Sequence, residues 1–156
     1  MDGASIRLTG IAVSGGIAFG HTFLYHPELP EIRCDRFETP PEPHIAAYEH
    51  SLHAAAEQLS GICRSLQARG RDAAQIFAAQ LEILQDEEMD ICVRGAIAEE
   101  RLTAAAAVEQ VYEQFAQLLA QTADPLIAAR AADIRDIKLR LQRVLLGLES
   151  ADLSLL

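Results

Sequence analysis

From Asp124 to Leu148 the chain reads as a single long helix. Asp124 is a helix-capping residue type, and Pro125 suits a first helical position, where its missing N–H needs no partner. Ile127, Ile134, Leu141, Val144, Leu145 and Leu148 then recur at helical spacing, and Gly147 stands where such a run stops. A helix with one apolar stripe has to bury it against others. Within this run, Arg130-Ala-Ala-Asp133-Ile-Arg135-Asp136-Ile sets small residues and alternating charges on two successive turns, which is more than packing asks for.

The preceding residues supply the partners. Ile45, Tyr48, Leu52, Ala55, Leu59, Ile62 and Leu66 alternate steps of three and four, a bundle-type stripe that Gly70 closes. Asp72 followed by Gln75 reads as a capping box for a second helix, with Ile76, Phe77, Leu81, Ile83 and Leu84 on its apolar face. Asp86-Glu87-Glu88 breaks that stripe and opens a short helix through Met89, Val93 and Ile97, its acids at the positive end of the dipole. Thr103 caps a further helix with Val108, Val111, Phe115, Leu118 and Leu119 facing inward. Short connections make sequential helices antiparallel neighbours. The expected fold is mainly α: an antiparallel four-helix bundle with one interrupted helix.

A short N-terminal β-hairpin is expected ahead of it. Ile11, Val13, Ile17 and Phe19 flank Ser14-Gly15-Gly16, whose glycines can supply the positive φ of a tight turn. Two strands alone are marginal in water, so this pair implies a larger sheet. Pro27, Pro30, Pro40, Pro41 and Pro43 rule out a continuous helix between hairpin and bundle. The chain thus divides into a hairpin at 1–25, a proline-rich connector at 26–43, a helical domain at 44–148 and a tail at 149–156.

Composition narrows the chemistry. Half of the 156 residues are hydrophobic, yet 5% are aromatic and none is Trp, which suits close-packed helices better than a sandwich or barrel. The net charge of −10 argues against nucleic acid and favours a partner with a basic patch. Cys34, Cys63 and Cys92 show no C-x-x-C spacing, so neither zinc nor a disulfide framework is implied, and a reducing cytoplasm is the simple reading. No apolar run approaches the roughly 20 residues of a membrane span, and the N-terminus lacks a secretion signal. His50 and His53, with Glu49 and Glu57 nearby, are too few for a metal centre without further converging ligands. No Glu-x-x-His pair, phosphate-cradling G-x-x-x-x-G-K or G-x-S-x-G elbow occurs.

Three blocks carry a resemblance: Gly10-Ile-Ala-Val-Ser-Gly-Gly-Ile-Ala-Phe-Gly20, Gln75-Ile-Phe-Ala-Ala-Gln-Leu-Glu-Ile-Leu-Gln-Asp-Glu-Glu-Met89, and the helix from Pro125 to Gly147. In this order and spacing they resemble the N-terminal region of enzyme I of the bacterial sugar phosphotransferase system, the phosphoenolpyruvate–protein phosphotransferases. The resemblance implies a segment of a larger cytoplasmic enzyme. That enzyme passes phosphate from phosphoenolpyruvate through a histidine to the small carrier protein HPr. In the family the accepting histidine lies in a Gly-Gly-x-Thr-Ser-His motif further along. None of His21, His26, His44, His50 or His53 has that setting, so no catalytic residue is expected here. The barrel binding phosphoenolpyruvate and magnesium is also beyond this region; no cofactor is expected within it, and the chain alone should be inactive.

The family's helical body is the docking surface for HPr, and the expected partners are HPr, or an HPr-like carrier, and the remainder of the enzyme. From Asp72 to Val93 there are six acidic residues and no Lys or Arg, a field of the sign that steers a basic carrier. The residues expected at the interface are Gln80, Glu82, Asp86, Glu87 and Glu88, with Ile83, Met89, Leu119 and Ile127 as its apolar centre and Arg130 as the sharpest single contact. Plainer readings stand beside these. Arg130 can pair with Asp133 at i+3, a contact of about 0.3–0.5 kcal/mol; the acids suit any helix start; Met89 suits any core. The chain departs from the family at Gly15, where Pro is common, and at Ala78-Ala79-Gln80, where Glu-Gly-His or Glu-Ala-His is usual. The parent therefore stays open among a sugar-branch enzyme I, a nitrogen-branch paralogue and a multidomain fusion. A non-catalytic helical adaptor, or a self-associating bundle, is the alternative outside the family.

Overall fold

The computed structural model describes residues 35–68 and 74–148, together with 15, 16, 19, 30, 32 and 33. The strands expected in 1–25, the stop at Gly70, the cap at Asp72 and the tail at 149–156 lie outside the described residues. Gly16 is described and has φ +107°, a conformation that glycine adopts freely. Among the described residues the chain is mainly helical: α1 (Glu42–Ala68), α2 (Ala74–Leu84), α3 (Glu87–Ala98), α4 (Ala104–Ala120) and α5 (Pro125–Leu145).

The helix starts follow from the caps. Thr103 Oγ1 accepts from Ala106 N at 3.4 Å, and Asp124 Oδ1 accepts from Leu126 N at 2.8 Å with Pro125 in the first turn. The end of α5 is a Schellman turn: Gly147 takes φ +64°, its N–H reaches Val144 O at 3.0 Å, and Leu148 N reaches Arg143 O at 2.8 Å. Glycine is needed at 147 for that φ alone, since nothing crowds its α-carbon.

α1 packs on α2 and α5, α3 on α4, and α4 most extensively on α5. Glu109 meets Lys138 while Glu113 meets Arg135, so numbers rise along α4 as they fall along α5 and the two run antiparallel. Small residues permit the close approach: Ala106, Ala107 and Ala116 of α4 and Ala131 of α5 are buried. Tyr48 of α1 and Tyr112 of α4 are both buried in the core, and burial pushes both phenols well above the ordinary tyrosine range.

The stripes are mainly inward, with exceptions in α1, in α4 and at both ends of the α5 stripe, where Ile127 and Leu148 are exposed. In α1, Tyr48, Ala55 and Leu59 are buried, but one turn later Cys63 is buried while Ile62 is only partly so. A straight helix drifts relative to a 3.5-residue repeat, so the inward face passes to the next residue. Leu118, expected inside, is 65% exposed, because the neighbouring Leu119 and Phe115 turn towards the core. Ile127 is exposed because α5 meets its neighbours only from Ala131 onward.

Residues 35–39 are clipped to the α3–α4 loop. Phe37 N donates to Arg101 O at 2.9 Å, Thr103 N to Asp35 O at 3.1 Å, and Arg101 Nη1 to Thr39 O at 3.2 Å. Arg101 adopts φ 61°, and its guanidinium lies over the Phe37 ring, which stacks on His44. This left-handed residue reverses the chain in time for Thr103 to cap α4.

Candidate functional site

The acidic break between α2 and α3 is built by its own backbone. Gln85 N is shared between Leu81 O and Glu82 O, and Asp86 N reaches Ile83 O, so α2 ends in a tightened turn. Asp86 then leaves the helical region (φ −69°, ψ 119°) and its carboxylate accepts from Met89 N at 2.9 Å, capping α3. Glu87, Glu88 and Asp90 fill the first turn, where the helix dipole favours negative charge.

One of these acids is neutralised. Arg94 donates through Nε to Asp90 and through Nη1 to Glu49, both at 2.8 Å, with its guanidinium 5.9 Å from the centre of the Tyr48 ring. The bond to Asp90, then that to Glu49, holds Arg94 above the ordinary arginine range. Glu82, Asp86, Glu87 and Glu88 are exposed and make no ion pair among the described residues. They leave an open anionic corner.

The second group lies where α4 turns into α5. Leu126 is 82% exposed and Ile127 42%, with Leu118 also outward. Arg130 follows with its side chain 53% exposed and Nη1 3.6 Å from Asp133 Oδ2. That separation at i+3 is a loose contact that leaves the guanidinium free to turn to another anion.

The structure distributes the ten expected residues unevenly. Glu82, Asp86, Glu87 and Glu88 share the α2–α3 corner, whereas Ile127 and Arg130 stand on the first turns of α5. Ile83 and Leu119 are partly buried against the core and offer edges rather than faces. Met89 and Gln80 are buried, at 3% and 5% exposed: Met89 joins the core cluster that holds Val93 and Ile97, and Gln80 lies on α2, which packs against α1 and α5. Leu118 and Leu126 are among the apolar surface residues that the sequence reading assigned elsewhere or passed over.

A charged seam that the reading also missed fixes α5. Arg135 Nη2 and Lys138 Nζ each reach a Glu113 carboxylate oxygen at 2.9 Å; Lys138 also reaches Glu109 at 2.9 Å, and Gln142 Nε2 donates to Glu109 at 2.6 Å. Arg135, then Lys138, lowers the Glu113 carboxyl to about 2. Burial works against the charge on Lys138, but the two carboxylates outweigh it and raise its pKa. The spacing of Glu109 and Glu113 against Arg135, Lys138 and Gln142, on two antiparallel stripes, was the available signal.

Open carboxylates at one corner and a half-exposed arginine at another, on a mainly helical frame, define a domain that presents its chemistry on its outer surface. A family model described as PEP-utilising enzyme, N-terminal, matches residues 9–130, and the chain belongs to that family. It is 32% identical over 152 residues to a phosphoenolpyruvate-protein phosphotransferase of Haemophilus influenzae, covering 94% of this chain and 26% of that protein. With a namesake from Geobacillus stearothermophilus it shares 34% over 149 residues, covering 94% and 25%. The chain therefore spans about a quarter of the length of these curated relatives. An NMR solution structure of an Enzyme I protein superposes with a TM-score of 0.71 at 30% identity over 81% of this chain and 53% of that one. An N-terminal domain of Enzyme 1 – Nitrogen gives the same TM-score at 22% identity, covering 80% and 53%, which is a likeness of fold.

Proposed function

We propose that this chain is the HPr-docking region of an enzyme I-type phosphoenolpyruvate–protein phosphotransferase, acting in the cytoplasm in bacterial sugar uptake. The observation that carries the reading is the match to phosphotransferases over 94% of the chain. In this reading residues 1–25 form a hairpin of the phosphohistidine domain, 26–43 connect it, and 44–148 are the docking domain, with 149–156 as a tail. The body is an antiparallel four-helix bundle, with α2 and α3 as its one interrupted member. Phosphoenolpyruvate, magnesium and the phosphorylated histidine belong to other parts of the longer enzyme. Among the described residues no three His, Cys, Asp or Glu side chains stand together as a metal site, and no helix is long and apolar enough to cross a membrane.

The carboxylates of Glu82, Asp86, Glu87 and Glu88 steer a basic carrier and set its orientation, while Leu126, Ile127 and Arg130, with the edges of Ile83 and Leu119, hold it. Titrating isotope-labelled HPr with this chain tests the reading. Chemical-shift changes confined to the carrier's phosphorylatable histidine and its basic face are expected. Absence of shifts at millimolar concentration overturns the partner, and Ala78-Ala79-Gln80, where the chain departs from the family, becomes the first place to look.

A further inference from the structure

Away from both acidic and apolar corners lies a cleft of about 590 Å³ between α1, α2 and the end of α5. Its size is that of a small-molecule site. Its charge is opposite to that of the chain: Arg140 and Arg143 line it against a single carboxylate, Asp136, in a protein of net charge −10. Neither arginine has a carboxylate within ion-pair distance among the described residues, although every other buried or half-buried cation of α5 has one. Arg140 gives one bond, from Nη1 to Gln58 at 3.0 Å, and its Nε is buried with no acceptor. Burial, and then the like charge of Arg143, lowers the Arg140 pKa, as expected for a guanidinium lacking a counter-ion.

The remaining walls are mixed. His50 brings an imidazole, Gln58 and Gln80 bring amides, and Phe77, Leu139, Val144 and Leu148 bring apolar surface. The last carbonyls of α5 are turned back by the Schellman bonds from Gly147 and Leu148, so the negative end of the helix is occupied by its own N–H groups. Gln80, 5% exposed, brings a buried amide to the same lining as the two guanidiniums.

We propose that this cleft binds a small organic dianion, a phosphomonoester with a compact apolar body. Arg140 and Arg143 take the phosphate oxygens, since a guanidinium fork matches phosphate geometry, and Phe77 with Leu139 covers the organic part. The site is distinct from the docking surface and does not depend on it.

Phenyl phosphate is a suitable probe, titrated into the isotope-labelled full chain at constant ionic strength beside phenol and inorganic phosphate. Saturable shifts confined to the facing parts of α1, α2 and α5 are expected, with phenol and inorganic phosphate each roughly tenfold weaker. Arg143→Gln, on a partly exposed residue, should weaken the phenyl phosphate complex by roughly tenfold with the fold intact. Asp136→Asn, which removes the opposing charge, should tighten it severalfold. Shifts that are absent, unsaturable or unchanged in Arg143→Gln overturn the site. Inorganic phosphate binding as well as phenyl phosphate overturns the assignment of an organic ligand.

Discussion

At the scale of single residues, exposure separates contacts from packing. Arg130 is half exposed and held by one 3.6 Å contact, so Arg130→Glu should leave helical content and melting temperature almost unchanged while weakening HPr binding by roughly tenfold or more. Circular dichroism and the HPr titration read the two effects separately; a collapse of the fold would make Arg130 a structural residue. Met89 behaves oppositely. It is buried beside Val93 and Ile97, and Met89→Ala should destabilise the domain by about 2–5 kcal/mol in a urea titration. A loss below about 1 kcal/mol would return Met89 to the surface. Sequence reading could not choose between these fates, because methionine fills both cores and interfaces and no rule of spacing distinguishes them. Arg130 was legible for a plainer reason: a cation two turns into a helix opposes the dipole and needs a purpose elsewhere.

At the scale of elements, the caps and stripes were written in the residues and the seams between helices were not. Asp86, Thr103, Asp124 and Gly147 mark the helix ends where local chemistry alone demands them, and α3 to α5 begin or end there. The α4–α5 seam requires knowing which faces meet, and Glu109, Glu113, Arg135 and Lys138 look like ordinary solvated charges until the two helices are brought together. That seam has a pH signature. The Glu113 carboxyl falls from 4.5 to about 2 on folding, so its contribution is present above pH 4.5 and is lost as pH falls through about 2. Wild-type protein should therefore lose urea resistance more steeply than Glu113→Gln between pH 4.5 and 2, and should be the more stable of the two above pH 4.5. Parallel curves for the two proteins would show that Arg135 and Lys138 do not stabilise the ionised carboxylate.

For the whole molecule, a net charge of −10 permits two different accounts of partner attraction. Either the total charge draws a basic carrier, or the corner at Asp86, Glu87 and Glu88 does so locally. Screening decides between them. At physiological ionic strength the Debye length is about 8 Å, and Glu99, the C-cap of α3, lies about 18 Å from Glu87 along the helix at 1.5 Å per residue, with Glu100 next in the chain. A double change of Glu87 and Glu88 to Gln and a double change of Glu99 and Glu100 to Gln remove the same charge from the molecule. If the corner steers, the first pair should slow HPr association severalfold at physiological ionic strength, while the second leaves it near wild type. Dissociation should change little in either, because the proposed docking surface has none of these side chains in its apolar centre. Equal slowing by both pairs in stopped-flow measurements would assign the attraction to total charge, and the acidic start of α3 would then be no more than a well-made helix terminus.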